Sequence, residues 1–148
     1  MIPEFEKNGN LPPGIFETTW EEFCERFGYT EHRKWLIEGL EIAMEELAQA
    51  GCDMVFINGS FVTAKKEPGD YDMCWSINTV DPKRLNSMLL DFSHQGRKAM
   101  KKKYRGDLFP AEIPEGLSGK VFLDFFQTDK ETGKTKGIIA LHIGGNHD

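Results

Sequence analysis

The chain is short of cysteine, of long apolar runs and of any excess of positive charge, and each shortage removes a class of protein. Its three cysteines, Cys24, Cys52 and Cys74, are odd in number and far apart. That excludes a disulfide framework and gives no metal-ligand spacing, so they read as reduced thiols of a cytoplasmic protein. Acidic residues outnumber basic ones by 24 to 18, for a formal net charge of −6, which argues against coating nucleic acid through bulk charge. A nucleotide held through metal and backbone stays compatible with it. No stretch approaches the roughly 20 apolar residues that a spanning helix needs. Met1-Ile2-Pro3-Glu4 has neither a basic region nor an apolar core, so neither a signal peptide nor a membrane partner is expected. Internal repeats and low-complexity tracts are missing as well.

What the chain does contain suits one globular domain over residues 1–148, with an apolar fraction of 39% and eleven phenylalanines to fill a core. Pro3, Pro12, Pro13 and Gly14 make the first 17 residues an extended arm, and residues 144–148 a short tail. Thr18-Thr19-Trp20-Glu21-Glu22 carries a capping-box signal for a short helix to about Phe27, closed by Gly28. A second helix is predicted from Glu31 to Ala50. Leu36, Leu40, Ala43 and Leu47 recur there at three- and four-residue steps opposite Glu38, Glu41, Glu45 and Glu46, with Gly51 as terminator.

Met54-Val55-Phe56-Ile57-Asn58, ended by Gly59-Ser60, reads as a buried strand, and Tyr71-Asp72-Met73-Cys74-Trp75, entered through Pro68-Gly69, as its neighbour. Asp81-Pro82 signals a helix start, and a further helix is expected from Gln95 to Tyr104, with Lys98, Lys101, Lys102 and Arg105 along one side. Gly106 to Lys120, with two prolines and three glycines, reads as a loop. Val121–Phe126 is the strongest strand signal, Thr128–Lys136 a hairpin loop, and Ile138–Ile143 the returning strand. The expected class is α/β (α+β), a mixed sheet with helices packed on it.

Three acids stand out against this background. Asp70 and Asp72, two apart in an extended chain, project from one face. Asp124 interrupts an otherwise apolar strand. Like charges held together on a half-buried strand repel, and a buried carboxylate has to be protonated, paired or metal-bound. A divalent cation such as magnesium suits such hard oxygen ligands. The blander reading is a set of structural ion pairs. His32, His94, His142 and His147 offer no zinc spacing. Lys65 and Lys66 are either exposed loop lysines or phosphate contacts.

Ile57-Asn58-Gly59-Ser60, a nine-residue connection, Asp70-Tyr71-Asp72 and a later strand with one Asp together resemble the nucleotidyltransferase fold of the DNA polymerase β superfamily. The whole chain also resembles a family of uncharacterised bacterial proteins. Pro3-Glu4-Phe5, Leu11-Pro12-Pro13-Gly14, Gly59-Ser60-Phe61-Val62-Thr63 and the Phe-Phe-Gln-Thr-Asp run ending at Asp129 carry that second resemblance, which implies no activity.

The first resemblance implies magnesium-dependent transfer of a nucleoside monophosphate from a nucleoside triphosphate, ATP foremost, to a hydroxyl on a protein or RNA. Two magnesium ions would be held by Asp70, Asp72 and Asp124, the last also taking the proton of the attacking hydroxyl. Gly59, Ser60 and Lys65 would hold the phosphates. Such small proteins often work in toxin–antitoxin or phage-defence pairs. The alternative is an inactive descendant that acts by binding a partner, since little chain follows the third strand and Phe61 follows Gly59-Ser60.

Overall fold

A computed structural model describes residues 1–144. Its elements are β1 (Ile15–Glu17), α1 (Trp20–Phe27), α2 (Glu31–Gln49), β2 (Met54–Asn58), β3 (Tyr71–Trp75), α3 (His94–Tyr104), β4 (Gly106–Pro110), α4 (Phe122–Phe125) and β5 (Ile138–His142), with one-turn 3₁₀ helices at Ser60–Val62 and Ser87–Leu90. The strands form one mixed sheet in the order β1-β5-β2-β3-β4. β2 runs antiparallel to both β5 and β3, while β1 with β5 and β3 with β4 are parallel pairs. The class is mixed α+β, as the pattern of elements predicts.

The helices start where their caps are. Thr19 accepts a hydrogen bond from the Glu22 amide, Thr30 from that of Arg33 and Ser93 from that of Gly96, each satisfying an otherwise orphaned first-turn donor. The stripe of α2 is fully buried at Leu36, Leu40, Ala43 and Leu47. It packs on one face of the sheet with Val55, Ile57, Met73, Trp75, Leu108, Ile139 and Leu141. Burying each large apolar side chain contributes roughly 1.5–3 kcal/mol, so this face anchors the sheet. The opposite face of the central strands carries Asn58, Asp72, Cys74, Asp107 and Phe109.

Four expectations are corrected. Val121–Phe126 is no strand: Phe122–Phe125 forms a short helix, with the Phe125 amide bonded to the Val121 carbonyl and that of Phe126 to the Phe122 carbonyl. Phe122, Phe125 and Phe126 fit a three- and four-residue period as well as an extended one, and so short an apolar run does not distinguish the two. Gly106–Lys120 is not all loop, because its first five residues are β4. Its two apparent breakers are compatible with that position. The flat ring of Tyr71 lies where a Cβ on residue 106 would be, 2.7 Å away, and Pro110 closes an edge strand, where a missing donor costs least.

The segment after Asp81-Pro82 forms turns and the 3₁₀ helix Ser87–Leu90 instead of an α-helix. The last strand has no hairpin partner at 121–126: β5 inserts between β1 and β2, and the arm supplies an edge strand of its own. His147 lies outside the described residues. Among the described residues, no helix is long and apolar enough to cross a membrane.

A candidate carboxylate site beside a glycine corner

Strand register assembles the site. Asn58 pairs with Asp72, and Asp72 pairs with Asp107, so three polar residues form a row across β2, β3 and β4. Asn58 is wholly buried and Asp107 is 6% exposed. The side-chain Oδ1 atoms of both are buried without a hydrogen-bond partner, an uncommon condition that a bound donor or cation would relieve. Burial, followed by the nearby charges of Asp70 and Asp107, pushes the Asp72 carboxyl up to about 7, against the opposing pull of Lys130 and Lys136. Near neutrality this group is poised between its two protonation states.

The other two acids have cations at hand. Lys101 Nζ, one helix away on α3, stands 3.2 Å from Asp70 Oδ2 and 3.5 Å from Asp107 Oδ2, and Arg97 is 3.7 Å from the same Asp107 oxygen. The Lys101 ammonium is held above its ordinary value first by Asp70 and then by Asp107. Part of the expected basic helix surface therefore faces the acids. Arg105, also of that surface, pairs with Glu38, and Lys103, outside it, pairs with Glu46.

The Gly59-Ser60 corner is built for close approach. Gly59 has φ 81° and ψ −168°, a combination essentially restricted to glycine, and a Cβ there would stand 2.5 Å from Asp72 Oδ2. Behind the corner, Arg33 is fully buried with no acid in ion-pair distance among the described residues. Its guanidinium donates to the carbonyls of Phe27, Phe61, Thr63 and Lys65, and it lies 4.6 Å from the Tyr29 ring centroid and 4.9 Å from that of Phe61. Three of those carbonyls belong to the chain leaving the corner, so one side chain clamps that whole turn. Phe61 fills the core against Phe23 and Phe27.

Two cavities adjoin, with Asp72, Phe125, Phe126 and Lys130 lining both. One, of about 430 Å³, is lined by Gly59, Ser60, Lys120, Lys130 and Lys136. The other, of about 500 Å³, is lined by Asp107, Arg97 and a group of phenylalanines. Of the residues expected at the site, Gly59, Ser60, Asp70 and Asp72 come together. Lys65 does not line either cavity; its carbonyl serves Arg33, while its ammonium belongs to an exposed loop. Asp124 is also exposed, on α4, and its neighbours Phe122, Phe125 and Phe126 face the cavities in its place.

Sequence reasoning misses Asp107, Asn58 and the lysines of the 120–136 segment. An acid followed by Leu108-Phe109 is the one signal that could have revealed the first. Among the described residues, no three His, Cys, Asp or Glu side chains already form a ready-made metal-holding group; Lys101 takes up part of that role by bridging Asp70 and Asp107.

Fold and site together define a small α+β domain with a row of three polar residues at a glycine corner, two of them buried and Asp72 half-buried. The chain belongs to a family of unknown function (DUF6932), whose model matches residues 3–142. No curated protein and no solved structure matches it.

Proposed function

We propose that the protein is a magnesium-dependent nucleotidyltransferase of the cytoplasm, moving a nucleoside monophosphate from a triphosphate, ATP foremost, to a hydroxyl on a protein or RNA. The observation that carries this reading is the register pairing of Asp72 with Asp107 beside Gly59-Ser60. It supplies a strand ending in Gly-Ser, an Asp-x-Asp strand and a later adjoining strand with one acid. Asp107 thus takes the role that the sequence suggested for Asp124.

Carboxylate oxygens suit magnesium in kind, and the unpartnered Oδ1 of Asp107 and the half-protonated Asp72 both gain from a cation. Asp70, Asp72 and Asp107 would hold it. Bound there, magnesium supplies charge stabilisation for oxygens that become more negative during the reaction. The lysine-walled cavity offers Ser60, Lys120, Lys130 and Lys136 to the β- and γ-phosphates, and Gly59 lets the backbone approach them. The acceptor oxygen bonds to the α-phosphorus as the bond to the bridging oxygen breaks and pyrophosphate leaves. The hydroxyl proton passes to Asp107.

Incubation with magnesium, each labelled triphosphate and a cell extract tests this. Label should appear on an acceptor and vanish in Asp72→Ala and Asp107→Ala proteins; transfer unaffected by either substitution would contradict it.

One observation favours a second reading. Lys101 and Arg97 already neutralise two of the three acids, as they would in a domain that keeps its site for shape and acts by binding a partner, for instance in a toxin–antitoxin pair. In that case the carboxylate variants bind the partner as well as the wild type does.

A further inference from the structure

The larger cavity is walled by rings. Phe109 stacks on Phe122 with centroids 4.5 Å apart and planes 13° apart, on Phe126 at 5.7 Å and 30°, and on Phe92 at 6.0 Å and 22°. Phe122 and Phe126 are themselves 18° from parallel. Four of the five rings lining the cavity, from three separate parts of the chain, are therefore within about 30° of their stacked neighbours, while Phe125 stands edge-on to Phe126 at 78°. Aromatic pairs in cores usually mix tilted and edge-on geometries. Phe109 is almost buried, Phe122 and Phe126 are half-buried, and Phe92 is 41% exposed.

A flat ring entering parallel to these would continue the stack. At the end where this cavity meets the lysine-walled one stands Asp72, which lines both. Phe125, Phe126 and Lys130 line both cavities as well, so the two are continuous: Phe92, Phe109 and Phe122 lie towards one end, and Gly59, Ser60, Lys120 and Lys136, with Asp129 among them, towards the other. A molecule with a planar ring at one end and a polyanion at the other matches both chemistries at once.

We infer that the phenylalanine stack is the nucleobase site, and that Phe122 and Phe126 hold the base of the nucleotide whose phosphates lie against Gly59, Ser60 and Lys130. The inference rests on the nucleotide reading proposed above and deepens it by assigning each cavity to one end of the ligand. Stacking on a ring's face tolerates any base, so the stack supplies affinity more than choice of base.

Calorimetry with magnesium and either ATP or inorganic tripolyphosphate tests it, on wild type, Phe122→Leu and Phe126→Leu. Leucine keeps the apolar filling and removes the ring. Wild type should bind ATP roughly five- to a hundredfold more tightly than tripolyphosphate, as one stacked base predicts. Each leucine variant should lose most of that preference while holding tripolyphosphate as well as wild type does.

Equal affinity of wild type for the two ligands would overturn the base site and leave a phosphate site standing. So would an ATP preference that survives both substitutions. If neither anion binds, adenosine alone decides, followed by NMR of the phenylalanine rings. Shifts at Phe122 and Phe126 would support the ring site while sinking nucleotidyl transfer, and unmoved signals would sink both.

Discussion

Asp72 and Asp107 stand side by side in the parallel pairing of β3 with β4, yet among the described residues only Asp107 of the two has cationic side chains within ion-pair distance. Asp72 is left to the fold's own desolvation and to two neighbouring negative charges, with Lys130 and Lys136 as its more distant relief. That asymmetry makes the protein alone carry unfavourable electrostatics at the point where the two cavities join. A residue placed for stability alone would not do this, and strain of this kind is characteristic of functional sites.

The first consequence is a pH dependence. The Asp72 carboxyl is raised in the folded protein to about 7 from an ordinary value of 3.8. Its favourable contribution is complete below the unfolded value and is lost as pH rises through the folded one, by roughly 4 kcal/mol at most. Chelator-treated protein should therefore lose stability between about pH 4 and pH 7 through this group. Asp72→Asn should flatten that part of the profile and melt higher than wild type at pH 8. Urea unfolding at several pH values checks this, and identical profiles for the two proteins would refute it.

Arg33 yields a prediction about the corner. Arg33→Met leaves four carbonyls without their shared donor, three of them just beyond Gly59-Ser60. The contacts to Phe27 and Phe61 are buried and those to Thr63 and Lys65 part-buried. Each buried group so abandoned costs about 1–3 kcal/mol, so a total loss of about 3 kcal/mol or more is expected by denaturant unfolding. Arg33→Lys should recover little, because a compact ammonium cannot span a fork of four acceptors.

Gly59→Ala should cost about 1–3 kcal/mol from backbone conformation alone, with the crowding of Asp72 Oδ2 added. The crowding part is separable. Placed on an Asp72→Ala background, the same glycine substitution should cost less than on wild type, a positive coupling measurable by a double-mutant cycle. Strict additivity would mean that the carboxylate does not rest against the glycine.

Lys101 bridges Asp70 and Asp107 as a resident cation, and a divalent ion would compete with it. Lys101→Met should raise magnesium affinity roughly two- to tenfold, in line with the modest worth of part-exposed ion pairs. Isothermal titration with magnesium alone provides the readout. A variant that binds magnesium more weakly would show that the lysine organises the acids instead of shielding them.

How far these features can be read from the chain depends on how local their causes are. Met54–Asn58 and Tyr71–Trp75 are legible because continuous apolar runs bounded by Gly59 and by Pro68-Gly69 carry their own punctuation. The helices over 31–49 and 94–104 are legible from periodicity and hydroxyl caps. Asp107 is hidden because Gly106 and Pro110 both look like breakers, and their tolerance comes from the ring of Tyr71 and from an edge position in the sheet, neither visible locally. Asp124 misleads for the converse reason: Val121–Phe126 looks like a strand, but its phenylalanines are gathered over Phe109 by a single turn of helix. The buried Arg33 has no acidic partner among the described residues, so no charge pattern announces it. Likewise, the lysines at 120, 130 and 136 are unremarkable until the chain after β4 folds back over the corner.

The most direct test of the central claim compares the thermal shift produced by magnesium and ATP in wild type, Asp107→Ala and Asp124→Ala. Ligand that binds only the folded state stabilises it by RT ln(1 + L/Kd), where L is the free ligand concentration, and so raises its melting temperature. The account predicts a clear upward shift in wild type and an equal one in Asp124→Ala, with little or none in Asp107→Ala. A shift that survives removal of Asp107 and disappears with Asp124 would contradict it.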